Sequence, residues 1–359
     1  MSKIKNILFS STRQWNPGDE FIQFGCEYLI SQFFNFNSLL FNRNPQIRSS
    51  FDFLNPLLSS SRAINYTSSP LSVLLSSFFR LNFWDNSFKN RGEYKVDYCI
   101  ISGSPEWYGR RMVPLFDFIK KYQVPTLFLG LGGNRKQNYS DFSVLDWCIL
   151  KNAKLITTRD DQSQRLLSEL KSKRMPCPAL FSCENTKKID SIKKIGLVYS
   201  TNNSTENNRV DYKTALYLNH LYSKLIEKYS CEFICHYIDE LEPFYKDFPD
   251  SRGHYHYDAR QYESIYSQFD LVISPRIHGC GIASSLCIPN IHISHSDRSL
   301  TVEGFNSIIK PVNTKYDDMC SLIDILTMSI KERNTEMFLH KKNTLNEYHK
   351  LLSSTFLSL

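Results

Sequence analysis

The sequence predicts an α/β protein of two similar halves, each alternating strands with helices, that face each other across a cleft. Three observations point there. Short apolar, β-branched runs recur from residue 4 onward, separated by stretches with helical spacing. The pattern restarts at Ile195–Tyr199 after a polar, basic stretch over 186–194 that reads as a linker. At 359 residues the chain is also longer than one hydrophobic core usually serves. The division expected is 1–188 and 189–359, with terminal helices packing back on the interface between them.

Ile4–Phe9 is the first strand, and the Asn16-Pro17-Gly18-Asp19 cluster after it is a strong turn signal. Glu20–Ser31 carries Phe21, Phe24, Tyr28 and Leu29 at helical spacing, with Asp19 suited to cap it. About 42–92 the chain turns rich in Ser, Asn, Phe and Leu with little periodicity, an irregular insertion. Val96–Ile101 and Val124–Leu129 are the next strands, with a helix at 114–122 between them. Gly103 follows the first, and Gly130, Gly132 and Gly133 follow the second. Glycines there let a backbone approach a phosphate or sugar, although their spacing is not the dinucleotide fingerprint. Ala153–Thr157 is a strand running through Arg159-Asp160 into a helix that reaches Leu170. In the second half, 212–229 is helical, 232–238 a strand, and a helix ends near Gln268. Helices over 321–330 and 342–352 close the chain.

The stretch from Phe269 to Arg298 holds the chemistry. A buried strand, Leu271-Val272-Ile273, ends at Ser274-Pro275, because proline cannot continue a parallel strand. Arg276, Ile277, His278 and Gly279 follow, and a helix opening near His278 offers unpaired N–H groups and a positive dipole end. The small residues behind let a ligand come close. Arg276 supplies a planar fork for phosphate or carboxylate, and His278 can donate a hydrogen bond or move a proton near neutral pH. Together they describe an anion site at the carboxyl end of a strand. The plain alternatives are a surface arginine and a core histidine.

Ser274-Pro275-Arg276-Ile277-His278-Gly279, small residues, and a second strand from 288 ending near Asp297 resemble the C-terminal motif of the polysaccharide pyruvyl transferase family. The resemblance continues in chain order. Asn16, Gly18 and Asp19 match an Asn-x-Gly-Asp turn after the first strand, and Arg159, Asp160 and Ser163 match an Arg-Asp-x-x-Ser motif. Gly103 and Gly132 stand in glycine turns the family places along its cleft. Arg298 replaces a common lysine, and Pro176-Cys177-Pro178 lacks the aspartate usual in a Pro-Asp-Pro-like stretch. The resemblance implies a GT-B-like fold of two Rossmann-like domains, acceptor side first and donor side second. It implies transfer of the enolpyruvyl group of phosphoenolpyruvate to a sugar of a cell-surface polysaccharide or its lipid-linked precursor, forming a pyruvate ketal. Under it Arg159, Arg276 and Arg298 hold the donor, His278 serves as general acid or phosphate donor, and Asp19 faces the acceptor sugar. Phosphoenolpyruvate is then a substrate, and neither a cofactor nor a metal is needed. A nucleotide-sugar glycosyltransferase of the same fold, or a non-catalytic glycan- or nucleotide-binding relative, stays open from the sequence.

Composition narrows the classes. The +7 formal charge is spread along the chain, without an arginine-rich tail or a nucleic-acid-binding motif, so nucleic acid is not an expected partner. The ten cysteines form no CxxC pair and sit mostly in apolar runs, the pattern of reduced core thiols rather than disulfides or a metal centre. The opening MSKIKNILFSS has too short an apolar part for a signal peptide, and no run approaches a membrane span. The expectation is a cytoplasmic protein. Peripheral contact with the inner face of a membrane and self-association are left open.

Overall fold

The computed structural model describes residues 4–12, 17–43, 95–104, 106–133, 138–204 and 209–357. Asn16 and most of the irregular stretch about 42–92 lie outside them. The described residues build two six-stranded sheets in an α/β arrangement, and every strand pair in both is parallel.

The first sheet holds β1 (Lys5–Ser11), β2 (Phe36–Asn42), β3 (Tyr98–Ser102), β4 (Thr126–Leu131), β5 (Leu155–Thr158) and β6 (Lys173–Arg174), in the order β2-β1-β3-β4-β5-β6. The second holds β7 (Ile195–Val198), β8 (Cys231–Ile234), β9 (Gly253–His254), β10 (Leu271–Ser274), β11 (Asn290–Ser294) and β12 (Ile308–Pro311), in the order β12-β11-β10-β7-β8-β9. Strand order therefore reverses beside β1 in one sheet and between β10 and β7 in the other. Parallel sheets open crevices for ligands at the carboxyl ends of strands flanking such reversals.

Helix α1 (Pro17–Ser31) leaves the end of β1, and its acidic first turn, Asp19 and Glu20, suits a helix N-terminus. Then come α2 (Val113–Tyr122), α3 (Val144–Asn152), α4 (Asp161–Leu166), α5 (Tyr212–Lys228), α6 (Leu241–Asp247) and α7 (Tyr262–Tyr266). Helix α8 (Ile277–Ser285) leaves the end of β10, and α9 (Tyr316–Met328) and α10 (Ile330–Leu357) close the chain. One continuous core runs from β1 and α1 through Cys177–Phe181 to α8, so the two halves share buried apolar surface. Helix α10 reaches back to the first half. Tyr348 donates to the Pro176 carbonyl, and Phe356 packs on Phe33, Phe34 and Tyr98.

Several boundaries differ from the sequence expectation. The strand expected over 232–238 ends at Ile234, because Glu240 accepts from the backbone N–H groups of His236 and Tyr237 and turns the chain into a 3-10 helix over Ile238–Glu240. The helix expected to reach Leu170 stops at Leu166, with a separate 3-10 turn over Ser168–Leu170. The helix expected over 342–352 is the middle of a 28-residue helix. No helix among the described residues is long and apolar enough to cross a membrane.

Candidate functional site

The two reversal points meet at one imidazole. Helix α8 begins with Arg276 as its capping residue, so His278 stands in the first helical turn after β10. Gly18 stands in the first turn of α1 after β1. A Cβ on Gly18 would lie 2.2 Å from His278 Nδ1, so only glycine admits the ring here. Two helix N-termini, one from each half, thus converge on His278, and each brings a positive dipole end.

Arg159, at the end of β5, reaches the same ring from the first half. Its Nη1 stands 3.2 Å from His278 Nε2. A guanidinium can only donate, so Nε2 accepts and the imidazole proton sits on Nδ1. Burial, then the charges of Arg159 and Arg298, hold the His278 pKa well below the ordinary histidine value, and the ring is neutral at pH 7.

The surroundings of Arg159 are unusual. The residue is 3% exposed, yet its contacts are His278, the Cys177 thiol at 3.7 Å and the Gly132 turn, where a Cβ would stand 2.6 Å from its guanidinium. Its neighbouring carboxylates are engaged elsewhere. Asp160 accepts from the backbone of Ser163 and Gly133 and caps α4, while Asp161 pairs with Arg174. Among the described residues Arg159 has no carboxylate partner, and its buried Nε has no hydrogen-bond partner at all. A buried cation left this way is costly unless an anion completes it.

Arg276 is differently placed. Its guanidinium is tied to the fully buried Glu240 and lies over the Tyr237 ring, 4.5 Å from its centre. Burial works against the charge, but Glu240 carries the Arg276 pKa above the ordinary arginine value. The fork the sequence offers to a ligand is therefore partly spent on holding itself in position. Glu240, Tyr237, His236 and His295 belong to this wall, and no motif in the sequence singles them out.

Arg276, Ile277 and His278 line a cavity of about 330 Å³, together with Gly18, Arg209, Tyr237, His295 and Arg298. Three guanidiniums and one carboxylate, Asp211, face it, which makes it an anion pocket. Asp19 is 6% exposed and lies 3.8 Å from Arg43, a fully buried arginine anchored on the Ser102 carbonyl and the Ser104 hydroxyl. Burial pushes the Asp19 carboxyl up, and Arg43 and Arg159 oppose that. Gly103 stands away from the cavity. A Cβ there would be 1.8 Å from the Gly130 carbonyl oxygen, so it lets the turns after β3 and β4 pack together. Gly279 likewise allows α8 to sit on Ser274. No group of three or more potential metal ligands occurs among the described residues.

Comparisons with known proteins bear on the family and the fold. The family model described as polysaccharide pyruvyl transferase matches residues 18–297, which span His278, Arg276, Arg159 and Gly18. A search of curated proteins by sequence gave no match. Among solved structures, the UDP-GlcNAc 2-epimerase of Neisseria meningitidis bound to UDP-GlcNAc superposes with a TM-score of 0.57 at 12% identity, covering 99% of this chain and 100% of that one. A UDP-N-acetylglucosamine 2-epimerase from Listeria monocytogenes, described as putative, gives 0.52 at 12% identity over 94% and 91% of the two chains. The enzyme of Methanocaldococcus jannaschii in complex with UDP-GlcNAc and UDP gives 0.51 at 11% over 90% and 93%. At such identities the likeness establishes the fold, the two-domain GT-B arrangement.

Proposed function

The chain belongs to the polysaccharide pyruvyl transferase family, and we propose that it transfers the enolpyruvyl group of phosphoenolpyruvate to two hydroxyls of one sugar in a saccharide acceptor. The observation that carries this reading is Arg159, a buried cation without a carboxylate partner among the described residues, in contact with a neutral buried histidine. A small, multiply charged anion at that contact would pair with Arg159, Arg298 and the two helix ends. Its negative charge would raise the His278 pKa toward neutrality, the reverse of what the arginines do in its absence.

In this scheme the donor draws the Arg159 guanidinium off His278 Nε2, which takes a proton from solvent; the protonated ring then gives that proton to the methylene carbon of the donor, and positive character develops at C2. The first sugar hydroxyl adds to C2 and loses its proton to Asp19, whose charge is felt at Arg159 and Arg298. The C2–O bond to phosphate then breaks. The second hydroxyl adds and loses its proton in turn. One proton ends on the new methyl group and one on the departing phosphate, so the sum is a pyruvate ketal and hydrogen phosphate. Arg276, held by Glu240 and Tyr237, would fix the donor carboxylate. Neither a metal nor a cofactor takes part.

The test is inorganic phosphate release from phosphoenolpyruvate that depends on an added saccharide and falls, at donor levels below saturation, in Arg159→Ala. Nucleotide release from a nucleotide sugar instead would overturn the reading in favour of glycosyl transfer. Saccharide binding with neither reaction would indicate a non-catalytic relative.

A further inference from the structure

A second cavity, of about 420 Å³, opens beside the anion pocket and shares Arg298 with it. We propose that this cavity is a saccharide subsite, the seat of a neutral acceptor pyranose; the assignment of the sugar as acceptor rests on the donor reading above.

Its lining differs in kind from that of the anion pocket. Two cations, Arg165 and Arg298, face two carboxylates, Asp160 and Asp297, so it carries no net charge to attract an anion. Tyr139, Leu166 and Leu300 give it an apolar side, while Asn138 and Gln162 bring amides. A pyranose presents the same two chemistries, C–H faces that pack on aromatic and aliphatic groups and hydroxyls that take amide and carboxylate hydrogen bonds. The size falls within the ordinary range for small-ligand sites.

The aromatic wall is built in advance. Tyr139 lies nearly parallel to Trp147, with centroids 5.8 Å apart at 10°, and its hydroxyl donates to the Arg165 carbonyl. The ring is thus fixed before any ligand arrives, which lowers the entropy cost of binding. Both halves contribute, Tyr139, Gln162 and Leu166 from the first, Arg298 and Leu300 from the second. Position decides between this cavity and the aromatic pocket on the far side of α1, around Phe24, Tyr28 and Phe181. That pocket shares no lining residue with the anion pocket, so a sugar there has no direct route to the donor.

The test uses the full chain and a fixed panel of neutral methyl hexopyranosides: the α- and β-methyl glycosides of glucose, galactose and mannose. Hydrogen exchange is followed with and without phosphoenolpyruvate. At least one glycoside is expected to slow exchange over 160–166 and 297–300, even without the donor. Leu300→Ala, at a half-exposed position where folding is not at stake, is expected to weaken that glycoside about fivefold, the scale of one lost apolar contact. It should titrate phosphoenolpyruvate as the wild type does. Protection around 181–185 and 259–263 instead, or no protection by any glycoside, overturns the subsite. If glycosides bind here but phosphoenolpyruvate does not bind at all, the donor reading fails and the subsite stands.

Discussion

Among the described residues the Arg159 guanidinium meets an imidazole, a thiol and a glycine turn, so its replacement separates binding from stability. Arg159→Ala is expected to weaken phosphoenolpyruvate about 10- to 100-fold, the scale of one hydrogen bond to a charged group. Its melting temperature should change little, because no internal ion pair is lost; a collapse in stability would mark the guanidinium as structural. His278→Ala should lower kcat by about 10²–10⁴ if the ring is the general acid, and steady-state rates at saturating donor read this directly. Gly18→Ala tests the same ring from the other side. The new methyl group would overlap Nδ1, so activity should fall as if His278 itself had been displaced, and an unaffected variant would contradict the close contact. The arginine and histidine of the Arg276–Gly279 motif were legible because their residue types, in that order after a strand, have few other uses. The missing carboxylate beside Arg159 was not legible, since the sequence sets Asp160 and Asp161 next to it. Only the backbone N–H groups that claim Asp160, and Arg174 that claims Asp161, settle the matter.

At the scale of elements, the site is two strand-to-helix turns, and what holds them is less visible in sequence than the turns are. Strands β1, β3, β4, β5, β7 and β10 are buried apolar runs and could be read directly. Strands β6 and β9 have two residues each, and β12 alternates half-buried with exposed residues, so none carries a run long enough to recognise. Helix α10 is largely polar, with a thin buried stripe, and its full length escapes a search for apolar periodicity. Glu240 belongs to a 3-10 turn without a motif, yet it anchors the Arg276 fork and ends the expected strand early. Glu240→Gln removes the charge that pairs Arg276 and is expected to cost about 3–5 kcal/mol of stability, as when one partner of a buried pair is lost. It should also raise the donor KM with little change in kcat. Denaturant unfolding and donor kinetics together check both, and a KM that stays put would detach Arg276 from the donor.

For the whole molecule, two parallel sheets with their reversal points turned toward one imidazole make a cleft whose walls come from distant parts of the chain. The strand–helix alternation gives this architecture away in sequence. Which side chains end up in contact across it does not follow from either half alone. Four histidines, at 236, 278, 292 and 295, have their pKa lowered, chiefly by burial, with His292 brought to about 3. In the unfolded chain each titrates near the ordinary histidine value, so below about pH 6.5 the unfolded state binds more protons than the native one. Stability contributed by keeping these rings neutral is present above that pH and declines as the pH falls below about 6.5, until each native ring itself takes up a proton, near pH 3 for His292. Melting temperatures that rise on acidification through this window would contradict the neutral, buried state of the rings. The central claim, that an anionic donor completes the contact between Arg159 and His278, is tested most directly by calorimetric titration with phosphoenolpyruvate at pH 7 in buffers of different ionisation enthalpy. Binding accompanied by net proton uptake, with the uptake lost in His278→Ala and the affinity lost in Arg159→Ala, is the predicted result. Binding without proton uptake and indifferent to both substitutions would contradict it.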